Sequence, residues 1–277
     1  MRLRSLLYVP AHNDRFVDKA AERGADAIIL DLEDAVPESE KDTARAALRH
    51  AVPKVRRNGA QVFVRINATA RVDADARAAL AAGADGVMLP KIESPADLDR
   101  LPEGCARVIG IVESARGLLA APQIATHPRL VALCLGAEDF ATDTDSLPDA
   151  ETLRLPKLMV HYAAKASGKL SLGLLRSAAQ FTDPDDFQRA ATEAVRFGFD
   201  GATCIHPKAV PVLNDAFSPD ADAVARAHAI IAAADEAAIK GTGAFMLDGH
   251  FVDAPIIERA KRLLARAGHV DAPRRLE

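Results

Sequence analysis

Apolar residues along this chain fall into two alternating patterns. One is the short continuous run, seen at Ser5–Val9, Ala27–Leu32, Gln61–Ile66, Gly86–Leu89, Arg107–Val112, Leu130–Leu135, Ser171–Leu174 and Gly201–Cys204. Runs of this length, bounded by polar or turn residues, predict strands buried on both faces. In the second pattern apolar residues return every three or four positions, which predicts amphipathic helices. These fall at His12–Arg23, Ser39–Val55, Asp73–Ala82, Pro95–Leu101, Gly117–Ala125, Thr152–Ala166 and Asp183–Phe197. A strand followed by a crossover helix must pair with the next strand in parallel, because the crossover is right-handed. Eight such units predict an α/β fold, a TIM (β/α)8 barrel spanning residues 1–215. An open doubly wound sheet is the alternative. It would usually carry a glycine-rich phosphate loop after the first strand, where this chain has Pro10-Ala11-His12-Asn13-Asp14.

Three helix-to-strand junctions repeat one phrase: Gly24-Ala25-Asp26, Gly83-Ala84-Asp85 and Gly198-Phe199-Asp200. Each ends a helix on glycine and turns on aspartate, which marks a structural connection used again and again. Residues 216–277 exceed what a barrel needs. They predict a helix over Asp222–Ile239, a glycine-bearing turn or hairpin over Gly241–Gly249, a helix over Ala254–Ala267 and a frayed end over Asp271–Glu277. This helical extension is expected to pack on a neighbouring subunit or over the barrel mouth.

A chain of 277 residues, 49% hydrophobic and 27% charged, suits one large globular domain with an appendage. Its net charge of −4 offers no basic surface for a phosphate backbone, so nucleic acid is not an expected partner. No signal peptide is read around Arg2 and Arg4, and no apolar stretch is long enough to span a bilayer. Cys105, Cys134 and Cys204 lie far apart and read as buried, inert thiols. A cytoplasmic location without membrane attachment is therefore expected.

Barrel enzymes carry their chemistry at the carboxyl ends of the strands. Here those ends hold Glu33 and Asp34, Arg65, Lys91, Glu113, Glu138 with Asp139, and His206. Glu113 and Asp139 follow neighbouring strands, so their carboxylates could share one Mg²⁺ or Mn²⁺, with water completing the shell. Glu113 could instead only favour the dipole of the helix it precedes. Arg65 could present a fork of donors to a carboxylate or enolate, or simply pair with Glu33 or Asp34. Asp31, Glu33 and Asp34 could hold metal-bound waters or Arg65, or form structural salt bridges. Lys91 is where a Schiff-base aldolase would place its amine, and His206 could touch substrate or fix its loop.

In these residues the sequence resembles the HpcH/HpaI aldolase–citrate lyase superfamily, in its citrate lyase β-subunit-like and malyl-CoA/citramalyl-CoA lyase branch. The matching phrases are Arg4-Ser5-Leu6-Leu7-Tyr8-Val9-Pro10, Leu30-Asp31-Leu32-Glu33-Asp34, Val64-Arg65-Ile66-Asn67, Met88-Leu89-Pro90-Lys91, Ile111-Val112-Glu113-Ser114-Ala115-Arg116-Gly117, Gly136-Ala137-Glu138-Asp139 and Cys204-Ile205-His206-Pro207. The resemblance implies a TIM barrel with added C-terminal helices, assembled as a homotrimer or hexamer. It implies Mg²⁺ on Glu113 and Asp139, with Arg65 and Glu113 contacting a 2-oxo acid. The segment Asp248–Pro255 resembles the lid of free-standing acyl-CoA lyases, in which an aspartate matching Asp253 reaches an adjacent subunit's site. The expected activity is reversible carbon–carbon cleavage of a 3-hydroxy-3-carboxylic acyl-CoA into an acyl-CoA and a 2-oxo acid. Alternatives are a citrate lyase β-subunit acting on a carrier-bound thioester, a Schiff-base aldolase using Lys91, and a non-catalytic oxo-acid-binding barrel.

Overall fold

The computed structural model describes residues 2–177 and 183–268; the end segment Asp271–Glu277 lies outside them. Eight strands form one parallel sheet: β1 (Ser5–Pro10), β2 (Ala27–Asp31), β3 (Gln61–Arg65), β4 (Gly86–Leu89), β5 (Val108–Val112), β6 (Leu130–Leu135), β7 (Leu170–Ser171) and β8 (Ala202–Cys204). The spatial order is β7-β6-β5-β4-β3-β2-β1-β8. A parallel bridge between Leu172 and Gly201 joins the two ends. Gly173 N–H donates to Gly201 O and Asp200 N–H to Ser171 O, both at 2.9 Å. The sheet therefore closes on itself as a TIM-like barrel.

Period-two alternation sorts the strand residues into two cores. Leu6, Ala27, Ile29, Phe63, Met88, Ile109, Ile111, Ala132, Cys134 and Leu172 fill the barrel interior, with Tyr8 packed against them. Their neighbours Leu7, Val9, Ile28, Leu30, Val62, Val64, Val87, Val108 and Leu133 face the helices outside. These helices are α1 (Asp14–Ala20), α2 (Lys41–Val55), α3 (Val72–Ala81), α4 (Pro95–Asp99), α5 (Ala115–Ala125), α6 (Ala137–Asp143), α7 (Ala150–Ala166), α8 (Pro184–Phe197) and α9 (Ala209–Ala216).

The recurring Gly-x-Asp junctions have one structure. Gly24, Gly83 and Gly198 hold φ of 71°, 82° and 93°, the left-handed turn that suits glycine. The following aspartate then takes a backbone N–H from an adjacent strand: Asp26 from Arg4 at 2.8 Å, Asp85 from Val62 at 2.7 Å and Asp200 from Ser171 at 2.8 Å. Each also pairs with a base, respectively Arg4 at 2.6 Å, Arg56 at 2.9 Å and Lys165 at 2.6 Å. The device pins the amino-terminal rim and leaves the opposite rim for chemistry.

Two helices and one strand length depart from the sequence-based expectation. α6 follows β6 directly and α9 follows β8. α6 buries only Phe140 and Ala141, too few positions to show a helical period. α9 carries Pro211 within its first turn, which reads as loop. β7 spans two residues rather than four, the remainder of its pairing being the single bridge at Leu172.

The chain divides into two compact units, Leu3–Phe217 and the segment from Ser218 onward. The second contains α10 (Ala221–Ile239), an antiparallel hairpin of β9 (Phe245–Leu247) and β10 (His250–Val252), and α11 (Ala254–Ala267). Ala227, Ala260 and Leu264 form its small core. Asp248 and Gly249, at φ 50° and 76°, make the two-residue turn of the hairpin.

Candidate active site at the barrel mouth

Strand parity decides which side chains reach the mouth. In β2, Ala27 and Ile29 face inward, so Asp31 does too; in β3, Phe63 inward carries Arg65 with it. Asp31 and Arg65 are direct partners in the β2–β3 register. Ile109 and Ile111 in β5 extend the same parity to Glu113, and Cys134 in β6 extends it to Gly136.

These residues line one cavity of about 490 Å³. Its walls include Tyr8, Asp31, Asp34, Arg65, Glu113, Cys134, Gly136, Glu138, Asp139, Lys157 and Thr203. Arg65 is its most heavily bonded member. Nε donates to Asp31 Oδ1 at 2.7 Å and Nη2 to Asp31 Oδ2 at 2.5 Å, a bidentate fork. Nη1 donates to Asp34 at 3.0 Å and lies 2.8 Å from Glu33 Oε2, off the hydrogen-bonding direction. The guanidinium also lies 5.0 Å from the centre of the Tyr8 ring. Burial alone would lower its pKa, but the hydrogen bond and charge of Asp31 outweigh it and hold the group cationic. Arg65 pairs with Glu33 and Asp34, the partners expected from the sequence, and Asp31 adds the bidentate pair. Asp31 in turn accepts the backbone N–H of Glu33 at 2.9 Å and of Ala35 at 3.2 Å, so it is buried with its oxygens satisfied.

Glu113 does not cap α5; Ser114 does, accepting from Gly117 N–H at 3.1 Å. The Glu113 carboxylate instead turns into the mouth and accepts the backbone N–H of Lys91 at 2.7 Å. Lys91 holds a left-handed backbone, φ 54°, which a non-glycine residue adopts at some cost. Its ammonium donates to Glu33 at 3.0 Å, and that bond raises its pKa. A lysine so held stays protonated and is a poor imine-forming nucleophile. Burial, with the charges of Glu33 and Asp139 adding to it, pushes the Glu113 carboxyl up to about 8. Glu33 is also raised, mainly by burial.

Space for Glu113 depends on Gly136. A Cβ there would lie 2.6 Å from both Cγ and Oε1 of Glu113. Gly136 also opens α6, whose first turn carries Asp139 to the same cavity. Two carboxylates are therefore gathered at one cavity, where the charge of Asp139 adds to the cost of ionising Glu113. Asp253 belongs to the C-terminal unit, where it is the N-cap of α11 and accepts Ile256 N–H at 3.4 Å. His206 is exposed, and its Nδ1 accepts the backbone N–H of Lys208 at 3.2 Å, a bond that fixes its own loop. Tyr8, Gly136 and Lys157 were not among the residues expected from the sequence. Parity from Leu6 points to Tyr8. For Lys157 the signal is a lysine on the buried stripe Leu153–Val160–Ala164 of α7.

Citrate lyase subunit beta of Leuconostoc mesenteroides subsp. cremoris is 33% identical, covering 96% of this chain and 94% of that protein. A (3S)-malyl-CoA thioesterase of Cereibacter sphaeroides is 34% identical, over 97% and 96%. Among solved structures, protein CitE of Mycobacterium tuberculosis in complex with magnesium, acetoacetate and coenzyme A superposes with a TM-score of 0.78 at 34% identity, over 95% of this chain and 97% of that one. Another, a citrate lyase beta subunit from M. tuberculosis complexed with oxaloacetate and magnesium, gives 0.68 at 33% identity, over 79% and 98%. Residues 4–207 match the family model, and the chain is a member of the HpcH/HpaI aldolase/citrate lyase family.

Proposed function

We propose that this protein is a magnesium-dependent carbon–carbon lyase acting on a 3-hydroxy-3-carboxylic acyl-CoA of the malyl-, methylmalyl- or citramalyl-CoA type. One observation carries the reading: Glu113 and Asp139 line the same cavity as Arg65, in a chain whose structural relative was crystallised with magnesium and coenzyme A. The donor set fits a hard divalent cation. Two carboxylates of adjacent βα units line one cavity, and the Glu113 carboxyl is raised mainly by its burial, with the charges of Glu33 and Asp139 adding to it. When bound there, the ion supplies positive charge opposite the oxygen that becomes the oxo group.

The chain's own residues supply the rest. Arg65 is held cationic and oriented by Asp31, while its Nη1 bond goes to Asp34, whose side chain is 55% exposed. A ligand carboxylate can take the place of Asp34 on that nitrogen without disturbing the Asp31 fork. A base takes the 3-hydroxyl proton, the oxygen electrons form the C3=O bond of the 2-oxo acid, and the C2–C3 bond breaks with its electron pair passing to C2 as a thioester enolate. Asp253, supplied by the C-terminal unit of an adjacent subunit in a homotrimer or hexamer, delivers the proton to C2. Asp31, Glu33 and Asp34 position Arg65 and Lys91. Mn²⁺ would serve in place of Mg²⁺.

A panel of malyl-, methylmalyl-, citramalyl- and citryl-CoA, each with Mg²⁺ and with EDTA, tests this. A 2-oxo acid and an acyl-CoA released only with Mg²⁺ is the expected result. Activity confined to carrier-bound citryl thioester would identify a citrate lyase β-subunit instead. The (3S)-malyl-CoA thioesterase relative favours a second reading, hydrolysis of the thioester. Free coenzyme A thiol without any 2-oxo acid would establish that reading and overturn the lyase.

A further inference from the structure

The ladder between β4 and β5 slips by one residue as it reaches the barrel mouth. Val87 N–H donates to Arg107 O at 3.1 Å, and Leu89 is the register partner of Gly110. Donors in a parallel ladder recur at every second residue, so counting on by twos brings Lys91 N–H to Ile111 O. Ile92 N–H takes that carbonyl instead, at 3.2 Å. The extra residue is Lys91, bulged out with its left-handed φ of 54°. Its N–H, released from the ladder, donates to Glu113 Oε2 at 2.7 Å. The bulge is clamped from two sides. Beyond it, Ile92 is fully buried, and its carbonyl sits so close to α5 that a Cβ on Gly117 would lie 2.5 Å away. Toward β2, the Lys91 ammonium donates to Glu33 at 3.0 Å. Glu33 is braced in turn by Lys41, which donates to its backbone carbonyl at 3.1 Å.

The bulge decides which oxygen of Glu113 is free. Oε2 is taken by the Lys91 N–H. Oε1 lies on the side of Gly136, where a Cβ would come within 2.6 Å of it, and Gly136 opens the helix that carries Asp139. Had Lys91 kept its place in the ladder, Oε2 would lose this donor and the carboxylate could turn away from α6. A left-handed backbone is strained in any residue but glycine, and such strain persists only where the surroundings hold it. The ion pair with Glu33 supplies that hold. We propose that Lys91 is a positioning residue for the divalent cation: its bulged N–H, kept in place by the pair with Glu33, sets the Glu113 carboxylate with Oε1 turned to α6 and Asp139. This inference rests on the metal site of the proposed function.

Titration of the full-length protein with Mn²⁺, the free ion counted by electron paramagnetic resonance, tests this without any turnover. Charge and positioning predict opposite signs. If only charge mattered, removing an ammonium beside a cation site would tighten metal binding. Lys91→Met removes the ion pair and leaves the backbone strained, so Mn²⁺ affinity should fall by about tenfold or more, as for loss of an outer-sphere partner. Lys91→Ala should fall with it. Lys91→Gly removes the same ammonium but takes the left-handed turn without strain, so it should stay within about threefold of wild type. The Lys91 side chain is 50% exposed, so all three variants should keep the wild-type circular dichroism spectrum. Unchanged or tighter binding in Lys91→Met and Lys91→Ala would overturn the role of Lys91. Equal weakening in all three variants would overturn it too, by assigning the effect to the ammonium rather than to the backbone it holds. No Mn²⁺ binding by wild type would overturn the proposed metal site, and this inference with it.

Discussion

Glu113 and Asp139 do different structural work although both are acids at a strand end. Glu113 is 6% exposed and tied to the Lys91 N–H, whereas Asp139 rides on the first turn of α6. Replacing either by its amide, Glu113→Gln or Asp139→Asn, keeps shape and removes charge. Each should cut Mg²⁺-dependent turnover by more than about 100-fold, beyond the loss of an outer-sphere partner, with the circular dichroism spectrum unchanged. Normal turnover in both variants would remove the metal from this pair. Lys157 makes the opposite kind of statement, because it costs stability. Its folded pKa, about 8, lies below the ordinary 10.5, so between those values the unfolded chain carries the proton and the folded chain does not. Stability should therefore rise with pH across that window. Lys157→Met should flatten this lysine's share of the rise and stabilise the protein at pH 7 by about 1–3 kcal/mol in urea titration. A destabilised variant would mean that the ammonium is better satisfied than its 3.5 Å bond to the Leu135 carbonyl suggests.

At the scale of elements, the strands were legible in the sequence because parallel strands buried on both faces read as continuous apolar runs. Their carboxyl ends then pointed to Arg65 and Glu113 as candidates. α6 and α9 were hidden because helices of seven and eight residues bury too few side chains for a period to show. That blind spot mattered, since α6 is the element that carries Asp139. Gly136 was part of a quoted phrase, yet its reason lies in a contact with another strand's side chain, which no local pattern encodes. Gly136→Ala should destabilise by about 1–3 kcal/mol, the usual cost of overpacking, and should abolish turnover by displacing the Glu113 carboxyl. Stability and rate both at wild-type level would show that Glu113 has room to move. The partners of Arg65 were anticipated only in kind. The register fixes Asp31 as the bidentate one, and register depends on how β2 and β3 pair.

For the molecule as a whole, the barrel is pinned at one rim by three Gly-x-Asp turns and carries the candidate site residues at the other. Among the described residues no helix is long and apolar enough to cross a membrane. The C-terminal unit has a core of only a few side chains, so its stability should depend on what it packs against. If it supplies the acid of a neighbouring site, Asp253→Asn should lower turnover by about 100-fold or more while leaving pyruvate binding intact. Its N-cap bond to Ile256 gives a structural role as the competing explanation. Asparagine caps a helix as well as aspartate does, whereas Asp253→Ala should cost about 1 kcal/mol, so wild-type turnover in Asp253→Asn with lost stability in Asp253→Ala would assign Asp253 to capping alone. The most direct measurement is a crystal structure of the protein soaked with Mg²⁺ and pyruvate. The expected density is one ion bound by both Glu113 and Asp139, with the pyruvate carboxylate within reach of Arg65. An ion held elsewhere, or a barrel mouth that binds neither, would contradict the site.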